Sequence, residues 1–295
     1  MNLDGRGLSY IKMPPTDSAQ WVIRRSLEGH GVRYEKRTIG GYETSMMSAG
    51  DGPTTLLWFP ALGDSAGGFG SMMVRLVEAI PGITIMAIDP PGYGDSVIED
   101  GIEFPTFDGL TSWIATLTQT IAGPLIATGN SSGAQIAAMA GAAAPFRLRG
   151  SIFVAWPDFR FSTFPSLDLL CPRDDAALDE LWTSAWHSPP RLPTSARTAM
   201  LRKFGDPRLK RHAASWRHDS FATALASCPP WHSSSRAFIG GSSDKLVPPS
   251  IIEQTAALYG AKLYWIASAG HFPHREQPAL FVDTYKKIIH DFLGG

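Results

Sequence analysis

The feature that most constrains the fold of this chain is the alternation of short apolar runs with segments of helical hydrophobic spacing. The runs "TTLLWFP", "GITIMAID", "GPLIATG" and "GSIFVAW" are continuous apolar stretches, which are typical of strands buried on both faces of a sheet. The segments that separate them repeat apolar residues three and four positions apart, as amphipathic helices do. Strands that alternate with helices in this way predict a parallel, doubly wound sheet covered by helices.

Four further runs extend the predicted sheet to eight strands. Near the start, "VRYEKRTI" and "YETSMMSA" are joined by the Gly40-Gly41 turn. Near the end, "SRAFIGG" and "AKLYWIAS" are each followed by a segment of helical spacing. The predicted fold class is therefore α/β, with a mostly parallel, doubly wound, eight-stranded sheet.

Residues 157–230 interrupt the alternation. This stretch is rich in proline, tryptophan and arginine and contains no strand-like run. Its segments "DDAALDELWTSAW" and "TSARTAMLRKFG" have helical spacing, the second with a Thr or Ser at its N-cap and a Gly stop. We predict a helical cap insertion at 157–230, within a core formed by residues 1–156 and 231–295.

Charge and cysteine usage argue against several classes of function. The net charge of −1 and the pI of about 6.7 lack the basic footprint of a nucleic-acid-binding chain. No apolar run reaches the roughly 18 residues of a membrane span, and the first residues show no secretory signal. Cys171 and Cys228 are far apart and form no CxxC, which favours reduced thiols and a cytoplasmic location.

Sequence patterns for cofactors and metals are also missing. No G-x-G-x-x-G opens a helix after the first strand, so a dinucleotide site is not supported. No cluster of His, Cys or carboxylate residues has the spacing of zinc ligands. We therefore expect neither a cofactor nor a metal.

The stretch "GNSSG", residues 129–133, lies where a predicted strand passes into a predicted helix. This is the context that a G-x-S-x-G nucleophile turn requires, because the strand and the helix approach closely there and only tiny residues fit two positions before and after the serine. Ser131 has glycines at both positions, Gly129 and Gly133, whereas the neighbouring Ser132 does not. Taken alone, the pattern is weak, because Gly/Ser turns are common, and an ordinary turn would be the preferred interpretation.

Two later residues complete a catalytic order along the chain. Asp244 follows a late predicted strand in "FIGGSSDKLVPP", and His271 follows the last predicted strand in "IASAGHFPHREQP". Together with "FPALGDS" and "IDPPGYGDS", these stretches make the chain resemble the α/β-hydrolase superfamily over nearly its whole length. In that superfamily the order Ser, Asp, His is the order of the catalytic triad.

The resemblance implies roles for these residues. Ser131 would be the nucleophile, His271 its general base and later the acid, and Asp244 the group that holds the imidazole in the correct tautomer. Asp158 is the alternative acid, because some members carry the acid after that earlier strand. His274 is the alternative base, although we expect it to be a surface residue at a helix start.

The resemblance also implies an oxyanion hole and a pocket. The two backbone N–H donors would come from Ser132 and from Leu62 in "FPALGDS", where Pro60-Ala61 replaces the frequent His-Gly of the family. Asn130 replaces a frequent histidine and is expected to shape the pocket floor. Aromatic residues in or near the insertion are expected to line an apolar pocket, although each could instead belong to the core of the cap: Trp156, Phe159, Trp182 and Trp186.

The implied activity is hydrolysis of an ester, thioester or related activated carbonyl compound with an apolar group, a small molecule, through an acyl-enzyme. A C–C bond hydrolase or lyase that uses the same triad, and a ligand-binding protein that leaves it idle, are the alternatives. The sequence leaves the natural substrate and the oligomeric state open.

The predicted cap carries a local concentration of positive charge. Residues 191–217 contain a single acid, Asp206, against eight cationic residues: Arg191, Arg197, Arg202, Lys203, Arg208, Lys210, Arg211 and Arg217. A solvated helix face is the favoured interpretation. The alternative hypothesis is that the patch attracts an anionic substrate or an acidic carrier protein that bears a thioester.

Overall fold

A computed structural model of the chain describes residues 25–99, 102–158, 165–215 and 235–294. They form an eight-stranded sheet with the strand order β1-β2-β4-β3-β5-β6-β7-β8. Only the pairings of β2 with β1 and with β4 are antiparallel, so the predicted mostly parallel sheet is confirmed. The strands are β1 Arg33–Ile39, β2 Tyr42–Gly50, β3 Thr54–Phe59, β4 Ile83–Ile88, β5 Leu125–Asn130, β6 Leu148–Val154, β7 Ser235–Gly241 and β8 Lys262–Ile266.

Helices follow the parallel strands as the periodicity predicts. A short 3₁₀ turn at Ala66–Phe69 precedes the first of them. The helices are α1 Gly70–Ala79, α2 Phe107–Thr120, α3 Ser132–Ala143, α4 Leu167–Leu170, α5 Asp175–Ala185, α6 Thr194–Phe204, α7 Pro207–Ser215, α8 Pro249–Leu258, α9 Pro273–Glu276 and α10 Pro278–Leu293.

Two apolar cores lie on opposite faces of the sheet. One contains Trp113 of α2, Ile136 of α3 and Ile252 of α8. The other contains Met73 of α1 and Tyr285 of α10. Covering both faces with helices explains why β3 and β5 are buried at every position and why their sequences are continuously apolar rather than alternating.

Helices α4 to α7 lie between β6 and β7 in the chain, within the predicted insertion. A third apolar cluster joins them to the core: it contains Leu181, Trp186 and Phe204 from the insertion together with Leu246 from the loop after β7. Parts of the range 157–230 lie outside the described residues, so its boundaries stay a prediction.

One local prediction in the insertion is wrong. Helix α6 has no Thr or Ser cap: its N-cap is Pro193, and no side chain caps the first turn. Pro193 already has extended backbone angles, φ −60° and ψ 152°, so the helix begins at Thr194, one residue earlier than a threonine cap would place it. The predicted end at Gly205 is confirmed.

Candidate active site

Ser131 lies in the sharp turn between β5 and α3 and has an unusual backbone conformation. Its φ is 53° and its ψ is −119°, which is unfavourable for a residue with a Cβ atom and costs on the order of 1–3 kcal/mol. The surrounding main chain holds it there: Ser131 N donates to Val154 O at 2.8 Å, and Ala134 N donates to Ser131 O at 2.9 Å. The turn therefore fixes one serine in a strained position at the start of a helix.

The two flanking glycines are required by close backbone contacts. A Cβ atom on Gly129 would lie 2.2 Å from the carbonyl oxygen of Gly133. A Cβ atom on Gly133 would lie 2.1 Å from the carbonyl oxygen of Phe59 at the end of β3. Neither contact can be relieved by a side-chain movement, because the opposing atoms belong to the backbone.

The structure brings His271 and Asp244 together in the loops after β8 and β7. His271 Nδ1 lies 2.9 Å from Asp244 Oδ2, and both side chains are buried. The other carboxylate oxygen, Oδ1, accepts hydrogen bonds from the N–H groups of Leu246 and Val247, each at 2.9 Å. Because a carboxylate can only accept, we assign the ring proton to Nδ1, which leaves Nε2 of His271 as a proton acceptor.

The alternative acid and base lie elsewhere. Asp158 is buried and accepts a hydrogen bond from the hydroxyl of Tyr259 on the α8 side of the sheet. His274 lies on α9, as predicted, but the expectation that it is exposed is wrong. Its ring is buried against the rings of Trp58, Phe69 and Phe281, and burial lowers its pKa well below the ordinary value. The short helix is turned so that this residue faces the core.

Asn130 connects the serine turn with the histidine loop. Its side-chain Nδ2 donates to His271 O at 3.1 Å and to Val154 O at 3.2 Å. The side chain is buried, and Oδ1 has no hydrogen-bond partner among the described residues. The amide is thus committed to two main-chain carbonyls, and the expected contribution of Asn130 to a pocket floor stays a prediction.

The loop that contains Leu62 runs beside the serine turn, since Phe59 O and Pro60 O lie against Gly133. Among the described residues, the Leu62 N–H donates no hydrogen bond. Ser132, the first residue of α3, has an N–H that the helix itself leaves without a partner. The N–H groups of Leu62 and Ser132 could therefore donate hydrogen bonds to a negatively charged oxygen, and the segments that carry them meet at Gly133.

A buried carboxylate fixes the same loop from the other side. Asp89, at the end of β4, accepts hydrogen bonds from Ala66 N at 2.6 Å and Asp95 N at 2.9 Å. Burial is the main cause that raises its pKa to about 7. Asp89 is not among the residues predicted from the sequence to belong to the site; its position between a buried strand and the "PPGYGDS" loop is the signal that could have identified it.

Apolar side chains surround the histidine loop. The Trp186 ring lies 5.1 Å from that of Trp182 and 5.2 Å from that of Phe272, the residue after His271. Leu62 packs against the same apolar cluster. These contacts place two of the predicted pocket tryptophans beside the histidine loop.

Trp156 is not a pocket residue, which corrects the expectation from the sequence. It is fully buried in the core on the α3 and α8 side of the sheet, with its ring near those of Phe238 and Tyr259. Its Nε1 donates to Gln135 Oε1 at 2.9 Å, so its polar atom is satisfied within that core. Phe159 lies outside the described residues.

Much of the positive charge at 191–217 is locally balanced. Four of the cationic side chains form ion pairs, three of them with carboxylates from other segments. The pairs are Arg197 with Asp175 and Asp179, Arg208 with Asp206, Lys210 with Asp168, and Arg211 with Glu103. Counting acids within the segment alone therefore overstated its charge.

Two further features concern membranes and metals. Over the described ranges, no helix has the length and apolar character needed to cross a bilayer. The same residues contain no group of three or more His, Cys, Asp or Glu side chains that could hold a metal ion.

Comparison with known proteins relates most of the chain to one family. Residues 56–284 match the family model described as the alpha/beta hydrolase family. A search of curated proteins found no match to this sequence.

Solved structures show the same fold. A bacterial membrane phospholipase A has a TM-score of 0.72 at 18% identity, covering 95% of this chain and 93% of that one. A serine hydrolase from Cycloclasticus zankles has a TM-score of 0.69 at 15% identity, covering 90% and 100%. A haloalkane dehalogenase from Agrobacterium tumefaciens has a TM-score of 0.66 at 16% identity, covering 90% and 99%. At these identities the similarity concerns the fold alone.

Proposed function

The chain belongs to the alpha/beta hydrolase family, and we propose that it is a serine hydrolase that cleaves a small ester, thioester or related activated carbonyl compound. One observation carries the proposal: Ser131 is held at φ 53° between a strand and a helix, and the side chain of the preceding residue, Asn130, donates to the main chain of His271, which forms a buried pair with Asp244. A non-glycine residue in this strained conformation costs folding free energy. The conformation suits a nucleophile, because the sharp strand-to-helix turn exposes the serine Oγ to substrate.

The proposed reaction begins at Ser131 Oγ. His271 Nε2 takes the hydroxyl proton while Oγ attacks the substrate carbonyl carbon, and the carbonyl oxygen becomes an oxyanion. Collapse of this tetrahedral intermediate forms the acyl-enzyme, and His271 returns the proton to the leaving group. A water molecule, deprotonated by His271, then attacks the acyl carbon. Collapse of this second tetrahedral intermediate breaks the bond to Ser131 Oγ, which takes the proton back from His271, and the acid is released. Asp244 keeps the ring proton on Nδ1 and stabilises the imidazolium in both half-reactions.

The N–H groups of Leu62 and Ser132 are the proposed oxyanion donors. Both belong to backbone that is fixed before substrate binds, since Gly133 touches the end of β3 and Asp89 anchors Ala66. Donors that need no rearrangement stabilise a developing charge effectively, and loss of one typically costs about 10²–10³ in rate.

The aromatic cluster beside His271 supports a substrate with an apolar acyl or ring group. Trp182, Trp186 and Phe272 lie close together there, and the insertion that supplies the tryptophans is the proposed cap over the carboxyl ends of the strands. A small molecule is the proposed substrate rather than an acidic carrier protein, because four cations of the cap are already paired. A cytoplasmic location stays a prediction.

A panel of nitrophenyl esters, thioesters, lactones and dienone-type acids tests the proposal. We expect turnover of apolar nitrophenyl esters, with an initial burst of nitrophenol where deacylation is the slower step. Preferential cleavage of a dienone-type acid would favour the C–C bond hydrolase or lyase. Binding of these compounds without turnover would favour the ligand-binding protein.

A further inference from the structure

The C-terminal end of α5 contacts both loops that carry the proposed acid and base. Ala185 O accepts a hydrogen bond from His271 N at 2.6 Å, and Ser184 O accepts one from Lys245 N, next to Asp244, at 3.2 Å. The last carbonyl groups of a helix have no partner within the helix. Here the loops of Asp244 and His271 supply those partners, so this end of the insertion is joined to the core by its own backbone.

The carboxylate of Glu276 also joins the end of α5 to the loop that carries His271. Oε1 accepts a hydrogen bond from Gly270 N at 2.7 Å, while Oε2 accepts from His187 N at 2.8 Å and from Ser188 N at 3.0 Å. One side chain on α9 thus binds the residue before His271 and the two residues that follow Trp186 at the end of α5. Hydrogen bonds to an ionised acceptor are about twice as strong as neutral ones.

Close packing leaves little freedom at this junction. A Cβ atom on Gly270 would lie 2.5 Å from Ala185 O and 2.9 Å from His187 N. The backbone of His271 is held on both sides, because its N–H donates to Ala185 O and its carbonyl accepts from Asn130 Nδ2. Glu276 ties the residue next to His271 to the end of α5, so its contacts support the junction at which the His271 N–H bond is made.

We propose that Glu276 is a positioning residue that sets the orientation of His271 by clamping its loop to the end of α5. The inference rests on the proposed function for its kinetic consequence. In this proposal the end of α5 helps to orient the catalytic histidine and is not only part of a lid. Because a displacement of about 1 Å at a reacting group can cost on the order of 10² in rate, loss of the clamp should lower kcat.

Glu276→Gln is the test variant, since it preserves size but replaces one acceptor oxygen with an NH₂ group that faces N–H donors. Glu180→Gln is the matched control: it is the same substitution on the exposed face of α5. We would measure kcat and KM for nitrophenyl esters of increasing acyl length. In parallel, proton NMR would follow the low-field resonance of the His271 ring proton that is shared with Asp244.

For Glu276→Gln we expect kcat to fall about 10- to 100-fold by the same factor for every acyl length, with KM nearly unchanged and the His271 resonance shifted or broadened. The control should match the wild type in all three readouts. If only KM changes, and more for long acyl chains, the clamp serves substrate binding and the proposal fails. Unchanged kcat with an unchanged resonance also overturns it.

Glu276→Asp is the second variant, to be used if Glu276→Gln does not fold. It keeps the charge and both acceptor oxygens but is shorter by one methylene, so a smaller fall in kcat is expected with the same independence of acyl length. A wild-type protein that cleaves none of the esters, thioesters and lactones of the panel would refute the proposed function. The His271 resonance would still decide on the clamp, because it does not depend on turnover.

Discussion

His271 Nδ1 and Asp244 Oδ2 are 2.9 Å apart, in a contact that neither side chain shares with solvent. The carboxylate is oriented by two N–H groups of its own loop, so it can hold the imidazole in one tautomer. This relationship gives the first prediction.

Asp244→Asn should lower kcat by about 10⁴ without unfolding the protein, because an amide can favour the wrong histidine tautomer. Asp158→Asn is the control, since that carboxyl accepts a hydrogen bond from Tyr259 and not from His271. Ester hydrolysis rates and circular dichroism of both variants give the answer. Loss of activity in Asp158→Asn with full activity in Asp244→Asn would move the acid to the end of β6.

Ser131→Gly should make the protein inactive but more stable. The angles φ 53° and ψ −119° are favourable for glycine and strained for serine, so we expect a gain of about 1 kcal/mol after the entropic cost of glycine is subtracted. Ser131→Ala, equally inactive, should show no such gain because it keeps the Cβ atom. Urea denaturation compares the two variants, and equal stabilities would mean that the turn stores no strain.

Acid should destabilise the protein through a histidine of the insertion. Burial lowers the pKa of His212, on α7, to about 4 from its ordinary value of 6.5. The unfolded chain therefore binds a proton at a higher pH than the folded one, and the free energy of unfolding falls as pH decreases from about 6.5 to 4. The buried His274 contributes in the same direction.

His212→Gln should flatten this slope, whereas His290→Gln on the exposed side of α10 should not. The free energy of unfolding, measured by urea denaturation at several pH values, distinguishes them. A slope between pH 4 and 6.5 that is identical in the wild type and in His212→Gln would show that His212 does not titrate as a buried group.

Reversal of Arg208, Lys210 and Arg211 to glutamate should act on stability rather than on substrate attraction. Each now faces a carboxylate, so reversal puts like charges together and should lower the melting temperature. We expect kcat/KM for an anionic and a neutral ester to change by the same factor at low and high salt. A loss confined to the anionic ester at low salt would instead support electrostatic steering.

Local sequence patterns predicted the structural features that depend only on residues close together in the chain. The buried strands and the Gly129–Gly133 turn follow from apolar periodicity and from the close approach of a strand to a helix, which short segments already contain. The order of Ser131, Asp244 and His271 along the chain predicted the candidate site. Each of them follows a predicted strand, and the carboxyl ends of parallel strands meet at one edge of the sheet.

Features that depend on distant segments could not be predicted in this way. Trp156 comes just after β6. Its side chain is buried by helices α3 and α8, and the local sequence does not show which helices pack on that face of the sheet. The pairing of Arg211 with Glu103 joins residues far apart in the sequence. Glu276 lies within the quoted "GHFPHREQP", but only the end of α5, brought there by tertiary packing, shows what its carboxylate binds.

The most direct test of the account is the site at which a fluorophosphonate reacts. The account predicts that one equivalent modifies the protein, that peptide mapping by mass spectrometry places it on Ser131, and that activity is lost in proportion. Ser131→Ala should take up no label, and Asp244→Asn should react far more slowly. Modification of another residue in the wild-type protein, or none while ester hydrolysis continues, would contradict the assignment of Ser131 as the nucleophile.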